Sequence, residues 1–209
     1  MKVEIRNDSI RITGYVNVVE RDSRVLPSPR GKFIEQVKAK TFQRALERQD
    51  NVDLLFNHMA SRQLGSTKQG NMMLYEDNIG LYADCTINDP EVIEKAKNNE
   101  LRGWSFAFTT IKDSWTQGEN GLQRRYLEDI TLPEVSILSV TPAYVATSIE
   151  ARGEETVVKE QRFIEETLEI EDQTTKEEVK VEEKREETVD YSTYEKEIEL
   201  LKLKQINGH

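Results

Sequence analysis

One cysteine, two histidines and no apolar run of membrane-spanning length set narrow limits on this 209-residue chain. Cys85 has no partner for an intramolecular disulfide, so an oxidising compartment is not implied. Met1 to Arg6 lacks the apolar core of a signal peptide, and the expectation is a soluble intracellular protein. There is no Gly-rich phosphate loop, no Cys-x-x-Cys and no His/Cys cluster. Nucleotide, cofactor and metal chemistry therefore have no residues to rest on. The net charge of −10 disfavours sequence-independent binding to nucleic acid or to an anionic membrane.

That charge is unevenly spread. Residues 151–209 hold 10 Lys and Arg against 18 Asp and Glu, a net of −8, leaving residues 1–150 at −2. The chain thus divides into a nearly neutral folded domain, 1–150, and an acidic tail. Within the tail, residues 151–190 are rich in Glu, Lys, Thr and Val, and a disordered or marginally helical linker is expected. Residues 191–209 carry Tyr194, Ile198 and Leu201 at helical spacing. This segment is either an amphipathic or coiled-coil helix that docks on a partner or a solvated, fraying one.

The domain reads as short strands with few helices. Ser9 to Val19 alternates and is β-branched, predicting a strand with a kink or bulge at Gly14. Arg21 to Lys32 carries Pro27, Pro29 and Gly31 and reads as a loop, followed by a strand from Phe33 to Val37. Thr41 opens a short helix with Phe42, Ala45 and Leu46 on one face. Met72–Glu76 and Ile79–Ile87 form a hairpin across Asp77-Asn78. Asp89 as N-cap and Pro90 at the first helical position start a second helix. Gly103 to Ile111, Gln123 to Glu128 and Glu134 to Val140 complete the strands. Many strands with two short helices suggest a small barrel or sandwich.

Three windows carry candidate chemistry. Leu54 to His58 is an apolar run ending on Asn57-His58, which reads as a buried strand delivering an imidazole to its exposed end. A surface histidine closing a strand is the plainer alternative. His209 terminates the charged tail, so any serine chemistry that uses an imidazole base must use His58. In Gly103-Trp104-Ser105-Phe106-Ala107-Phe108, the aromatics share one strand face, and Gly103, Ser105 and Ala107 share the other. The small-residue face leaves room for a substrate strand, or else Ser105 merely fills a tight spot. Glu134 begins the strongly apolar strand that holds Ser136 and Leu138 on its own side. It is either a surface cap or the acid that orients an imidazole. Cys85, on one strand face with Leu81, Ala83 and Ile87, reads as a core residue ahead of a reactive thiol.

Taken together these windows resemble the prohead maturation proteases of tailed bacteriophages, in the HK97-type family that shares the herpesvirus assemblin fold. The matching pieces are Asn57-His58 with Gly65 seven residues on, Ser105-Phe106-Ala107-Phe108, and Glu134-Val135-Ser136 ending in Thr141-Pro142-Ala143-Tyr144. Met59 and Ser66 depart from the acidic residue and the arginine common at those places. The resemblance implies an α+β, mainly β fold: a small closed, antiparallel-rich β-barrel flanked by short helices, with the acidic tail appended. It implies Ser105 as nucleophile, His58 as general base and Glu134 as the orienting acid of a serine endopeptidase. Arg124-Arg125 resembles the arginine pair that assemblins use for transition-state support, although two arginines on a solvated strand are the plainer assignment. No cofactor and no metal are implied.

The implied substrates are scaffold, capsid-protein extensions and the chain's own tail. The implied setting is the assembling procapsid in the host cell cytoplasm, with the major capsid protein and scaffold as partners. A homodimer is an open option, since assemblin-like enzymes dimerise to become active. Two other classes stay open at this point: a non-catalytic assembly factor whose acidic tail acts as scaffold, and a cysteine hydrolase pairing Cys85 with His58.

Overall fold

The computed structural model describes residues 1–28, 31–118, 121–140, 147–152, 155–165 and 167–174, with backbone alone along 147–152, 155–158 and 164–165. Thr141 to Tyr144, residues 175–190 of the expected linker and the expected helix at 191–209 lie outside the described residues.

Alternating apolar residues build a five-stranded sheet. It comprises β1 (Lys2–Ile5), β2 (Ile10–Val18), β7 (Met72–Glu76), β8 (Gly80–Ile87) and β13 (Glu169–Asp172), ordered β13-β1-β2-β8-β7. Ile10, Ile12 and Val16 of β2 and Leu81, Ala83, Cys85 and Ile87 of β8 are buried, while Arg11 and Asp84 pair at 2.7 Å on the outer face. The irregularity predicted at Gly14 is a bulge between Tyr15 and Asn17.

The second sheet positions the chemistry. It runs β11 (Thr147–Arg152), β12 (Glu155–Glu165), β9 (Gly103–Gln117), β10 (Gln123–Leu138), β4 (Gly31–Val37) and β3 (Leu26–Ser28). β5 (Asp53–Phe56) pairs with both β10 and β6 (Met59–Ser66). β10 was legible as two strands interrupted near Pro133, but it is continuous. One edge pairs with β9 throughout, and the other pairs with β4 over Gln123–Leu127 and with β5 over Glu134–Ile137. Pro133 is tolerated because it lies in the register shift between Thr131 and Glu134, where no ladder bond is needed. The uncovered stretch of that edge is satisfied by helix α1 (Thr41–Arg48). Thr41 donates to the Leu127 and Glu128 carbonyls, Arg44 to Glu128 and Arg48 to Ile130, and Gln49 accepts from the Leu132 N–H.

Both sheets, α1 and α2 (Pro90–Lys97) close over one core. In α2 the Asp89 carboxylate caps the Val92 N–H at 3.1 Å, as the Asp-Pro signal predicts. Phe106 packs edge-on to Phe42 with centroids 5.4 Å apart. Burying a side chain such as Phe106 stabilises by about 1.5–3 kcal/mol.

One expectation is corrected. The described strands form two sheets that do not close into a barrel. Instead the eight-stranded sheet curls until Glu35 of β4 meets Arg162 of β12 through side-chain ion pairs, with no backbone ladder between those strands. Within the stretch expected as a linker, 151–190, the described residues 155–165 and 169–172 are strands. β12 pairs with β9, and β13 pairs in parallel with β1.

Gly65 has a packing role. A Cβ there would lie 2.0 Å from the Asn71 amide nitrogen. That amide accepts from Ser66 N–H at 3.0 Å and donates to the carbonyls of Leu64 at 3.0 Å and Thr86 at 3.1 Å, so it ties β6 to β8. Gly65→Ala is expected to lower stability by about 2–3 kcal/mol in urea denaturation, the worth of the bonds it displaces. A loss within about 0.5 kcal/mol, the range of an inert surface change, would show that Asn71 moves freely.

Candidate active site

β5 and β6 pair up to Phe56 and Met59, so Asn57 and His58 are the two central residues of a tight hairpin turn. Both have positive φ, 52° and 59°. Two such residues are what the favoured two-residue hairpin turn demands. Asn tolerates that conformation well, and for a larger side chain it costs on the order of 1 kcal/mol. The turn is pinned to the end of β10. Asn57 N–H donates to the Ile137 carbonyl at 2.9 Å, and its side chain both accepts from Ser139 N–H at 2.9 Å and donates to Ser139 Oγ at 3.0 Å. These bonds fix the direction in which His58 leaves the strand.

It points at the small-residue face of β9. Ser105 and Ser136 are register partners across β9 and β10, and Ala107 is opposite Glu134. His58 Nε2 lies 2.7 Å from Ser105 Oγ, and His58 Nδ1 lies 2.6 Å from Glu134 Oε1. Ser136 donates to the other carboxylate oxygen at 2.7 Å, so neither oxygen of this buried acid lacks a partner. Hydroxyl, imidazole and carboxylate in hydrogen-bonded series are the parts needed to activate a serine for attack on a carbonyl.

Ser105 has a second neighbour. Its hydroxyl donates to the Arg162 carbonyl at 2.8 Å, and Ser105 is only 1% exposed because β12 runs along the edge of β9 beside it. The hydroxyl has one proton, which it can give either to that carbonyl or to the imidazole.

Arg124 and Arg125 are not brought to this cluster. Adjacent strand residues point to opposite faces. Arg124 pairs with Asp22 at the surface, and Arg125 is buried among Asp113, Glu35, Glu160 and Thr110. Arg125 is registered with Trp115, ten residues along β9 from Ser105, and its guanidinium is engaged by Glu160 and Thr110 rather than by the serine. Burial would lower the pKa of Arg125, but its bonds to Glu160 outweigh that and hold the guanidinium above its ordinary value. Cys85 is also remote, on β8 of the other sheet, with its thiol on the Ile12 carbonyl at 3.6 Å. Burial pushes its pKa up, away from the thiolate a nucleophile requires.

Ser136 and Asn57 carry positioning bonds that sequence reasoning left unassigned. The signal for Ser136 was present, since it shares a strand face with Glu134. Asn57 gives no such signal, because its partner Ser139 is 82 residues away. Among the described residues no group of three or more His, Cys, Asp or Glu is arranged to hold a metal, and no helix is long and apolar enough to cross a membrane.

No curated protein and no solved structure matches the chain significantly. The family model described as caudovirus prohead serine protease matches residues 1–161, from β1 into β12 and across every residue of the His58 cluster. With more than half of its length accounted for, the chain belongs to the caudovirus prohead serine protease family.

Proposed function

We propose that this prohead protease is an endopeptidase using Ser105 as nucleophile, His58 as general base and Glu134 as the acid that orients the imidazole. The series of contacts at 2.7 Å and 2.6 Å carries that proposal. His58 Nε2 takes the hydroxyl proton as Ser105 Oγ attacks the scissile carbonyl. Glu134 stabilises the resulting imidazolium, the proton passes to the leaving amine, and water then releases the acyl group. Ser136 and Asn57 hold the acid and the base in place.

The substrates are scaffold, capsid-protein extensions and the chain's own C-terminal region, cut inside the assembling procapsid. The protease domain extends past residue 150 through β13, and the tail beyond it, with the 191–209 segment, provides the attachment to scaffold or capsid protein. A non-catalytic assembly factor would not require two consecutive positive-φ residues aiming an imidazole at a buried serine.

Co-expression with the capsid protein separates these readings. Mass spectrometry is expected to find shortened capsid protein and shortened protease with the wild type, and full-length forms of both with Ser105→Ala. Identical masses in the two samples would favour the assembly factor.

A further inference from the structure

Resting on the triad proposed above, the contact between Ser105 and β12 has a second half. β12 is antiparallel to β9, with Phe163 opposite Ser105 and Arg162 opposite Phe106. The residue whose carbonyl sits on the nucleophile, Arg162, sends its side chain into a buried carboxylate. Its Nε donates to Glu35 Oε1 at 2.6 Å and its Nη2 to Glu35 Oε2 at 2.8 Å, a two-pronged fit specific to a guanidinium. The Phe108 ring lies 5.0 Å from the same guanidinium. Two residues earlier, and therefore on the same face, Glu160 receives Arg125 Nη1 at 2.9 and 2.7 Å and Thr110 Oγ1 at 3.0 Å.

The body of the enzyme thus offers an acid and a base, Glu35 and Arg125, themselves 3.2 Å apart. β12 brings the complementary base and acid, in the register that lays the Arg162 carbonyl on Ser105. A cavity of about 340 Å³ adjoins the pair and is lined in part by Glu35, Arg162 and Phe163. As mere glue for a strand, a buried ion cluster is a weak choice, because apolar residues stabilise as well or better. As a reader of charge on an incoming strand it is effective.

We propose that β12 is a resident substrate strand: Arg162–Phe163 is a self-processing bond, Glu35 selects arginine on its acyl side, and Arg125 selects an acidic residue two positions earlier. The substrate class is an extended peptide with the pattern acid-x-Arg before the cut. In the step, Ser105 Oγ bonds to the Arg162 carbonyl carbon and its proton goes to His58. The bond to the Phe163 nitrogen breaks as His58 returns that proton to the nitrogen. One water then completes the reaction, giving its hydroxyl to the Arg162 acyl group and its remaining proton, through His58, to Ser105. The products end in an Arg162 carboxylate and begin at a Phe163 amine.

The test follows intact mass of the purified full-length chain over time, beside peptide assays in trans. Wild type is expected to accumulate a fragment ending at Arg162, and Arg162→Lys to do so more slowly. Arg162→Gln is expected to leave that bond uncut while Ser105 still reacts with a fluorophosphonate. For two peptides copied from residues 157–166, one with Arg and one with Gln at position 162, wild type should prefer Arg by about 100-fold or more in kcat/KM. Glu35→Gln should erase that preference. Cutting after residue 162 in Arg162→Gln at the wild-type rate, or an intact Arg preference in Glu35→Gln, overturns the proposal. So does a wild type that labels at Ser105 yet never yields a fragment ending at Arg162. A wild type that does not label at Ser105 at all overturns the triad itself, and this inference with it.

Discussion

His58→Asn is expected to lower peptide turnover by about 10⁶-fold while the protein stays folded, the scale seen when the base of a serine triad is removed. The described polar atoms within bonding distance of Ser105 Oγ are His58 Nε2 and the Arg162 carbonyl. A carbonyl accepts a hydrogen bond but cannot take the proton away, so without the imidazole no base is left. His209 is the sole other histidine, and it is the last residue of the chain. Asparagine is the better replacement than alanine because residue 58 has φ 59°, which asparagine adopts at little cost. Initial rates on a fluorogenic peptide, with a thermal melt as the folding control, measure the effect. A loss below about tenfold, far less than general-base catalysis contributes, would mean that the imidazole is not the base.

Glu134→Gln is expected to cost about 10⁴-fold through the tautomer of that same ring. The carboxylate accepts from His58 Nδ1–H, which leaves Nε2 unprotonated and facing Ser105. An amide in its place can donate to Nδ1 and so favour the tautomer whose Nε2 already carries a proton. Ser136 can still bond the amide oxygen, so the side chain stays in position and the change is confined to the proton. The imidazole signals are easily assigned by NMR, since the chain has only two histidines. The wild type should show a slowly exchanging Nδ1 proton at His58, and Glu134→Gln should lose it together with turnover. Full activity in Glu134→Gln would remove the carboxylate from the reaction.

How much of this was visible beforehand varies with the range of the physics involved. The small face of Gly103, Ser105 and Ala107, the Asp89 cap and the alternation of β2 and β8 are local properties, and each has a local signature. His58 at a strand end was legible too, although the tight turn that aims it was not. The continuity of β10 was hidden because Pro133 is a strong local stop signal. It is overridden by a bulge and by bonds from α1, which lies some 80 residues earlier in the chain.

β12 was hidden for a related reason. A charged stretch reads as solvated when its partners are invisible, and the partners of Arg162 and Glu160 are Glu35 and Arg125. Burial would raise the pKa of Glu160, yet Arg125 and Arg162 together hold its carboxyl below the usual range. Charge on that strand is matched inside the molecule rather than by water. The Arg124-Arg125 pair is opaque in the same way, because only a fold can show that one of two adjacent arginines is buried.

The proposed chemistry rests on a single hydroxyl becoming nucleophilic beside one imidazole, and covalent trapping addresses that most directly. Fluorophosphonate-treated protein, digested and mapped by mass spectrometry, is expected to carry its adduct on Ser105 in the wild type and to carry none in a folded His58→Asn variant. An adduct on another residue, or one on Ser105 that forms equally well without His58, would contradict it.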